Sequence, residues 1–338
     1  MSMTPQSTTA ALACLEPGAR TFLERTIAAD SKPLPQLGVE QSRRYMLDSQ
    51  RTPFDSADTD VETRVIAGVR TIVVRPRGVA QPLPVVLYLH GGGWVLGAPE
   101  THARIAHILA LQAQCAVIVV DYALAPEYRY PVALDQCYAI ALDLYNNGAN
   151  LGLDGTRMAV AGDSAGGNLA AALSLLAAER GEFQFALQCL LCPALDALAD
   201  NPSSREFAEG FNLTAETMRW FWNQYAPNET QQSDPHVSPL HAPNDLLARV
   251  APAWIVTAGC DILRDEAEQF GARLIAAGNA ACVLRCCATI HNFLIIDDLQ
   301  FSAPAIAAVS ALCRALHVAL HSVSASGITP EKPSERIS

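Results

Sequence analysis

The sequence predicts an α/β fold, with a mostly parallel central sheet flanked by helices on both faces. From Val85 onwards, short continuous apolar runs alternate with helical stretches, and this alternation is typical of parallel sheets. Two glycine-rich turns each follow one of these runs, at the points where strands would end. In such sheets the active site lies at the carboxyl ends of the strands, so both turns are candidates for it.

The elements follow from the pattern in chain order. A hairpin pair is predicted at 61–66 and 69–75, around Ala67 and Gly68. Strands buried on both faces are predicted at 85–89, 116–120, 158–161, 187–192, 254–258 and 282–286. Helices are predicted at 103–114, 132–146, 168–180, 265–277 and 304–321.

The alternation also divides the chain into parts. Residues 56–195 and 246–321 form the two parts of the core, and residues 322–338 are expected to be a flexible tail. Residues 1–55 have helical character and precede the sheet, so we expect them to pack onto it. Residues 196–245 are an insertion, in which a helical stretch places Met218, Trp222 and Tyr225 on one face. This insertion could close over the site or be an extra packed helix, and both interpretations can hold together, since the inner face of a lid is itself packed.

Composition limits the classes of partner. Half of the residues are hydrophobic, so the chain is able to bury a large core. The formal net charge of −11 argues against binding to nucleic acid or to an anionic membrane. No secretory signal is seen, and no apolar run reaches the roughly eighteen residues of a membrane span. We therefore expect a cytoplasmic protein with a small-molecule partner, and a homodimer remains open.

The ten cysteines are scattered rather than spaced as a disulfide framework. Those interpreted as reduced core thiols, because they lie in apolar segments, are Cys14, Cys115, Cys137, Cys260, Cys282 and Cys313. Cys189 and Cys192 have the spacing of a zinc or redox pair, but no second Cys or His pair lies nearby. A buried strand is the better interpretation, and no metal or cofactor is predicted.

The central feature is Gly162-Asp-Ser-Ala-Gly166, between a predicted strand and a predicted helix. A serine on a sharp strand-to-helix turn holds its hydroxyl clear of the backbone, and side chains at Gly162 or Gly166 would collide with the neighbouring elements. The helix that follows directs its free N–H groups at an anion forming on an acyl carbon. We therefore predict that Ser164 is a nucleophile. The alternative is an ordinary glycine-rich turn.

A nucleophilic serine needs a base and a carboxylate. Both His291 and Asp261 follow predicted strands, and about thirty residues separate them, which is room for one helix and one strand. Asp196 is the competing acid, and Asp265 is interpreted as a helix N-terminal charge or a supporting contact. The other histidines are interpreted as surface or capping groups on helices (His102, His107, His317, His321) or as part of the insertion (His236, His241).

The second glycine-rich turn, His90-Gly-Gly-Gly-Trp94, closes a predicted strand. Glycines there let the N–H groups of Gly92 and Gly93 turn toward the site, and Ala165 supplies a third donor for an oxyanion. Phosphate binding is disfavoured, because neither glycine-rich loop continues into Gly-Lys-Ser/Thr.

Together these motifs resemble the hormone-sensitive-lipase-like family of α/β-hydrolases, mainly bacterial carboxylesterases. Further matches are Asp121-Tyr-Ala-Leu-Ala-Pro-Glu127, Asp261-Ile-Leu-Arg-Asp-Glu266 and Glu206-Phe-Ala-Glu-Gly210, and the similarity covers roughly residues 60–320. The resemblance implies an α/β-hydrolase fold with a helical cap, formed by residues 1–55 and 196–245. It also implies a serine carboxylesterase for short- to medium-chain acyl esters, without a cofactor. The family usually has Arg at Ala123, Pro at Ile262 and often Gly at Asn292.

Substrate preference is less defined by the sequence. An apolar pocket is expected to be lined by Trp94, Phe211, Met218, Trp222 and Phe293. An amidase, deacetylase or lactonase would use the same triad, and a non-catalytic small-molecule receptor on the same fold is the alternative from another class.

Overall fold

The computed structural model describes residues 12–29, 32–49, 53 and 57–322. These residues contain an eight-stranded sheet in the order β1-β2-β4-β3-β5-β6-β7-β8. The strands are β1 (Thr59–Ile66), β2 (Val69–Pro76), β3 (Leu83–Leu89), β4 (Ala116–Val120), β5 (Leu153–Asp163), β6 (Gln188–Leu191), β7 (Ala253–Cys260) and β8 (Ala281–Ile290).

Helices connect and cover the strands. The α-helices are α1 (Pro17–Ala28), α2 (Leu34–Ser49), α3 (Ala103–Ala113), α4 (Val132–Asn147), α5 (Ala165–Arg180), α6 (Pro202–Glu206), α7 (Ala215–Tyr225), α8 (Glu229–Gln232), α9 (Asn244–Leu247), α10 (Arg264–Ala276) and α11 (Ala303–His321). Short 3₁₀ helices lie at Pro99–His102, Gly148–Leu151, Pro239–His241 and Asp297–Leu299.

The pairing of the strands explains where the site lies. The β1–β2 hairpin and the β2–β4 pair are antiparallel, whereas every pair from β4 to β8 is parallel. Leu89 at the end of β3 pairs with Gly162 near the end of β5, and Cys260 at the end of β7 pairs with Ile290 at the end of β8. The carboxyl ends of these four strands therefore lie on the same side of the sheet. The fold-class prediction is confirmed.

Burial follows the position of each strand. All residues of β3, β4 and β7 are buried, as expected for continuous apolar runs covered on both faces. The prediction of two-sided burial is wrong for β8, where most residues are exposed or half-buried and only Thr289 and Ile290 are fully buried. The reason is that β8 is the last strand of the sheet, so it has a neighbour on one side only.

The cysteines divide in the same way. Cys115, Cys137, Cys260 and Cys313 are buried, as predicted, and so are Cys189 and Cys192. The prediction of core thiols is wrong for Cys14 and Cys282, which are exposed. Cys282 lies on the edge strand β8, and Cys14 lies in the segment before α1.

Helices from the N-terminal segment and from the insertion meet at the carboxyl edge of the sheet. α2 packs on α7, which begins at the Thr214 cap, where the side chain accepts a hydrogen bond from the Thr217 N–H group. Met218, Trp222 and Tyr225 are buried on one face of α7, as the spacing predicted. Residues 1–11 and 323–338, which include the predicted tail, lie outside the described residues.

The sequence led us to expect no apolar run long enough to span a membrane, but the last helix, α11, is long enough. By length and composition alone it passes as a candidate span, with a mean hydropathy of 1.6. One face of it, including Leu312 and Leu316, is buried, and it packs on α3 and on the sheet. A helix that packs an apolar face on a sheet can be as long and apolar as a membrane-spanning helix.

Candidate active site

Ser164 lies at the turn between β5 and α5. Its backbone adopts φ +54°, which is uncommon for a residue with a side chain, and its N–H group donates to the Leu191 carbonyl at 2.8 Å. A Cβ atom at Gly162 would lie 2.3 Å from the Gly166 carbonyl oxygen, and one at Gly166 would lie 2.0 Å from that of Leu89. The turn thus requires glycine at both positions, as the sequence indicated.

A continuous hydrogen-bond chain joins Ser164, His291 and Asp261. His291 Nε2 lies 3.0 Å from Ser164 Oγ, and His291 Nδ1 lies 2.7 Å from Asp261 Oδ2. All three residues are buried, with Asp261 only 1% exposed. Because an ionised carboxylate only accepts hydrogen bonds, Nδ1 carries the ring hydrogen and Nε2 is left to accept the serine hydroxyl.

The competing residues bond elsewhere. Asp196 accepts from His241 Nε2 at 3.0 Å, a pair within the insertion. Asp265 accepts from the Ser203 N–H group at 2.8 Å and pairs with Arg264, which agrees with its predicted supporting role.

The surface or capping role predicted for four histidines is wrong for two of them. His102 and His107 are 1% and 8% exposed. His107 Nδ1 lies 2.8 Å from the Thr59 hydroxyl, and His102 contacts a buried carboxylate described below. The helical pattern placed both residues near α3 correctly, but it did not show that they face the sheet.

The glycine-rich loop after β3 lies beside Ser164. Gly92 and Gly93 adopt φ +120° and +63°, and both line the same cavity as Ser164 and His291. Among the described residues, neither of their N–H groups has a hydrogen-bond acceptor. Ala165 is the first residue of α5, so its N–H group is one of the donors that a helix leaves unpaired at its start.

The cavity over these groups has a volume of about 810 Å³ and is lined from both sides. The sheet edge contributes Gly92, Gly93, Leu96, Ser164 and His291. The N-terminal segment contributes residues from Thr26 to Met46, and the insertion contributes residues from Ala208 to Phe221. The cavity therefore lies between the sheet and two helical segments, with the hydrogen-bond chain at its base.

A family model described as "alpha/beta hydrolase fold" matches residues 86–295. The chain belongs to this family. The α/β-hydrolase is 35% identical to carboxylesterase NlhH of Mycobacterium tuberculosis, over 83% of its own length and 90% of the relative's. It is 33% identical to the ethyl acetate hydrolase of Pseudomonas putida, over 84% and 93%.

Solved structures agree with these relatives. A thermostable esterase from Pseudomonas putida superposes with a TM-score of 0.89 at 34% identity, covering 95% of this chain and all of that one. An esterase from Pyrobaculum calidifontis gives a TM-score of 0.80 at 32% identity, over 90% and 98%. The resemblance to the hormone-sensitive-lipase-like carboxylesterases is thereby confirmed.

The pocket residues expected from the sequence stay a prediction, and the cavity of this α/β-hydrolase has a different lining. None of Trp94, Phe211, Met218, Trp222 and Phe293 lines the cavity, and all five are nearly or fully buried. Trp94 stacks on Tyr225 with ring centroids 4.6 Å apart, and its ring lies tilted against that of Trp222 at 4.2 Å, so these rings hold the glycine-rich loop against α7. Two aromatic side chains, Tyr45 and Phe221, do line the cavity, and the Phe221 Cδ1 atom lies 2.1 Å from where a Cβ of Gly93 would be.

Asp163, the residue before Ser164, connects the loops of the site. Its carboxylate is fully buried and accepts hydrogen bonds from Tyr88 Oη at 2.9 Å and from the Gly91 N–H group at 3.1 Å. Asn292 Nδ2 donates to its other oxygen at 3.0 Å, and His102 Nε2 lies 3.1 Å away. The Asp163 carboxylate thus contacts the glycine-rich loop through Gly91 and the loop of His291 through Asn292, and Asp163 directly precedes Ser164.

The charge of Asp163 is stabilised despite its burial. Burial alone would raise the pKa of Asp163, but attraction to His102 and the hydrogen bonds from His102 and Tyr88 outweigh it, and the pKa is lowered. Burial, together with repulsion from His102, lowers the pKa of His90 to about 4. The sequence identified Asp163 only as the variable position of the serine motif. The one indication of its role was that an acidic residue occupies a strand end with an apolar run before it.

One group of possible metal ligands overlaps the site. Donor atoms of Cys192, Asp261 and His291 lie within 4.8 Å of one another. However, His291 Nδ1 and Asp261 Oδ2 are bonded to each other, so a metal ion there would have to break that bond. The arrangement fits a buried thiol behind a proton-transfer pair better than a metal centre.

Proposed function

We propose that this chain hydrolyses short- to medium-chain acyl esters through an acyl-enzyme formed on Ser164. The chain is a carboxylic ester hydrolase, as its relatives are. The observation that carries the assignment of roles is the hydrogen-bond chain from Asp261 through His291 to Ser164, at the base of the cavity. Each group is at hydrogen-bond distance in the order that serine acyl transfer needs.

In the first step, Ser164 Oγ attacks the ester carbonyl carbon and His291 Nε2 takes its proton. Asp261 holds the Nδ1 tautomer and stabilises the imidazolium that forms. The carbonyl oxygen becomes an oxyanion and accepts hydrogen bonds from the N–H groups of Gly92, Gly93 and Ala165. His291 then gives its proton to the leaving alkoxide, which departs as the alcohol. Each oxyanion donor of this kind contributes about 3 kcal/mol to lowering the barrier.

In the second step, water enters where the alcohol left. His291 Nε2 takes a proton from this water, whose oxygen attacks the acyl carbon of the ester on Ser164. Collapse of the second oxyanion breaks the bond to Ser164 Oγ, which recovers its proton from His291. The carboxylic acid leaves and the enzyme returns to its starting state, so no cofactor is consumed.

The substrate range is supported by the cavity and by relatives. Its lining mixes apolar side chains such as Leu37, Leu96 and Phe221 with polar ones such as Asn212 and Thr217. One relative is named for ethyl acetate, an ester with a two-carbon acyl group. A series of p-nitrophenyl esters with increasing acyl length tests this range, and the proposal expects kcat/KM to be highest for short or medium chains.

The roles are tested by Ser164→Ala with Ser174→Ala as matched control. Ser174 is also a buried serine on α5, but it contacts the Ala251 N–H group, away from the cavity. On p-nitrophenyl butyrate we expect Ser164→Ala to lose activity by about 10⁶-fold, and the control to keep it. A fluorophosphonate should label wild type and Ser174→Ala but not Ser164→Ala. Full activity of Ser164→Ala would rule out the mechanism, and a wild type that neither turns over nor is labelled would indicate a receptor.

Other measurements separate the related activities. Hydrolysis of matched ester and amide substrates distinguishes an esterase from an amidase, and a simple lactone tests the third alternative. The cytoplasmic location and the homodimer remain predictions from the sequence. Cell fractionation tests the location, and sedimentation of the purified protein tests the homodimer.

A further inference from the structure

The segment before α1 lies against the two strands that lead to Asp261 and His291. The Glu16 N–H group donates to the Ala288 carbonyl of β8 at 2.8 Å, and Leu12 and Leu15 are both 4% exposed. The guanidinium of Arg20 donates to carbonyls of this segment, including that of Leu15. Residues 12–16, the docking segment, are therefore held on the outer edge of the sheet.

Two thiols meet where the docking segment reaches β7. Cys14 Sγ lies 3.5 Å from Cys260 Sγ, although 246 positions separate them in the chain. Cys260 ends β7 directly before Asp261, and it pairs with Ile290, directly before His291. A disulfide has its sulfur atoms about 2.05 Å apart, so a bond needs an approach of only about 1.5 Å.

The two thiols differ in access. Cys260 is 4% exposed, whereas Cys14 is exposed and lines a surface cavity of about 370 Å³ with Arg205, Phe207 and Phe211. Burial and the contact with Cys14 raise the pKa of Cys260 to about 12. A dissolved oxidant therefore meets Cys14 first, and Cys260 is placed to react second.

We propose that Cys14 and Cys260 form a reversible disulfide site, which fastens the docking segment to the strand that carries Asp261. With a small-molecule disulfide such as oxidised glutathione as oxidant, the Cys14 thiolate attacks one sulfur and releases one glutathione thiolate. The glutathione thiolate released first takes the proton of the Cys260 thiol, and the Cys260 thiolate attacks the Cys14 sulfur of the mixed disulfide, which forms the protein disulfide and releases the second glutathione as a thiolate. Two protein thiols are oxidised and one glutathione disulfide is reduced to two thiols.

The expected consequence is stability rather than a change in turnover. Because Cys260 is buried in the sheet and Cys14 lies on the exposed docking segment, we expect the docking segment to make the approach of about 1.5 Å while Asp261 and His291 stay in place, so kcat is retained. The bond closes a very long loop of the unfolded chain, and this lowers the entropy of the unfolded state. We expect the oxidised form to melt roughly 5–10 °C higher than the reduced form.

The test uses the full-length protein, oxidised with glutathione disulfide and digested with trypsin without reduction. The site predicts one linked pair of peptides, residues 1–20 and 250–264, which dithiothreitol separates. Cys14→Ser should abolish the pair and the rise in melting temperature. Cys282→Ser is the matched control, because Cys282 is also exposed, and it should keep both. Cys260→Ser should leave Cys14 carrying one glutathione.

Several results would overturn the proposal. One is a digest with no linked peptides, or with Cys14 linked to a different cysteine such as Cys286 or Cys287. Another is a melting temperature of the linked form equal to that of the reduced form, because the bond would then fasten nothing. A rise in melting temperature that persists in Cys14→Ser would assign the effect to other thiols.

Discussion

Replacing Asn292 by glycine tests whether the Asp163 carboxylate positions His291, the proposed general base. Asn292 follows His291, adopts φ +56° and donates its side-chain amide to Asp163 Oδ2 at 3.0 Å. Glycine adopts this backbone conformation without strain. The substitution therefore removes one hydrogen bond and keeps the path of the loop.

The magnitude follows from the burial of the acceptor. Asp163 is 0% exposed, and a hydrogen bond to a charged group contributes about 1.5–3 kcal/mol. Glycine also removes the backbone strain that asparagine has at positive φ, which restores about 0.5–1 kcal/mol of stability. This gain is small because asparagine tolerates this region better than most residues. The net loss is about 1–2 kcal/mol, which lowers the melting temperature by roughly 2–6 °C. If the bond acts in the transition state, kcat falls by about 5- to 30-fold.

The assay separates positioning from general destabilisation. We expect kcat on p-nitrophenyl butyrate to fall while KM stays close to wild type, because Asn292 orients the base more than it binds substrate. Gln114→Gly is the matched control: Gln114 also adopts positive φ, +54°, but it ends α3, away from the cavity. This control should keep kcat. A kcat for Asn292→Gly within about twofold of wild type would show that Asn292 has no positioning role.

Substitutions at three further positions probe buried groups. Tyr88→Phe removes the hydroxyl that donates to Asp163, so urea unfolding should show a loss of about 1.5–3 kcal/mol. Phe221→Ala removes the ring that packs on Gly93, so we expect a loss of about 3–5 kcal/mol together with a lower kcat/KM, and Phe221→Leu should recover most of both. Burial raises the pKa of Glu266, so wild type loses stability as pH rises above the unfolded pKa of about 4.3, because only the unfolded chain ionises freely there. Glu266→Gln never ionises, and its stability relative to wild type should increase between pH 5 and pH 8.

The strands and the three-residue hydrogen-bond chain were predictable because each depends on local pattern and chain order. Apolar runs bounded by turns gave β3, β4 and β7, and parallel pairing then required that residues after neighbouring strands lie together. Asp261 and His291 follow adjacent strands, so their contact was implied once the strands were assigned. Edge position is different, because an apolar run in the sequence does not show whether its strand has a neighbour on one side or on both. The exposure of β8 could not be inferred for that reason.

Buried polar residues were harder to predict, because polar residue types usually lie at the surface and the sequence pattern does not mark the exceptions. His102, His107 and Asp163 lie in segments with an obvious helical or strand pattern, yet their burial depends on partners far away in the chain. A buried charge is tolerated only where several donors converge, and convergence is a property of the assembled loops. The sequence showed where Asp163 stands but not that Tyr88, Gly91 and Asn292 reach it.

The difference between the expected pocket residues and the cavity lining has the same physical origin. Trp94 follows the glycine-rich loop and adopts φ +60°, so its side chain leaves the loop in a direction that helical or strand periodicity does not describe. It stacks on Tyr225 of α7, while Phe221 of the same helix packs on Gly93 and lines the cavity. Four residues are slightly more than one turn, so small differences in helix rotation decide which ring faces the cavity. Because these aromatic contacts join α7 to the glycine-rich loop after β3, a substitution on α7 should alter loop position as well as cavity shape. Effects of paired substitutions at Phe221 and Trp94 should therefore not be additive.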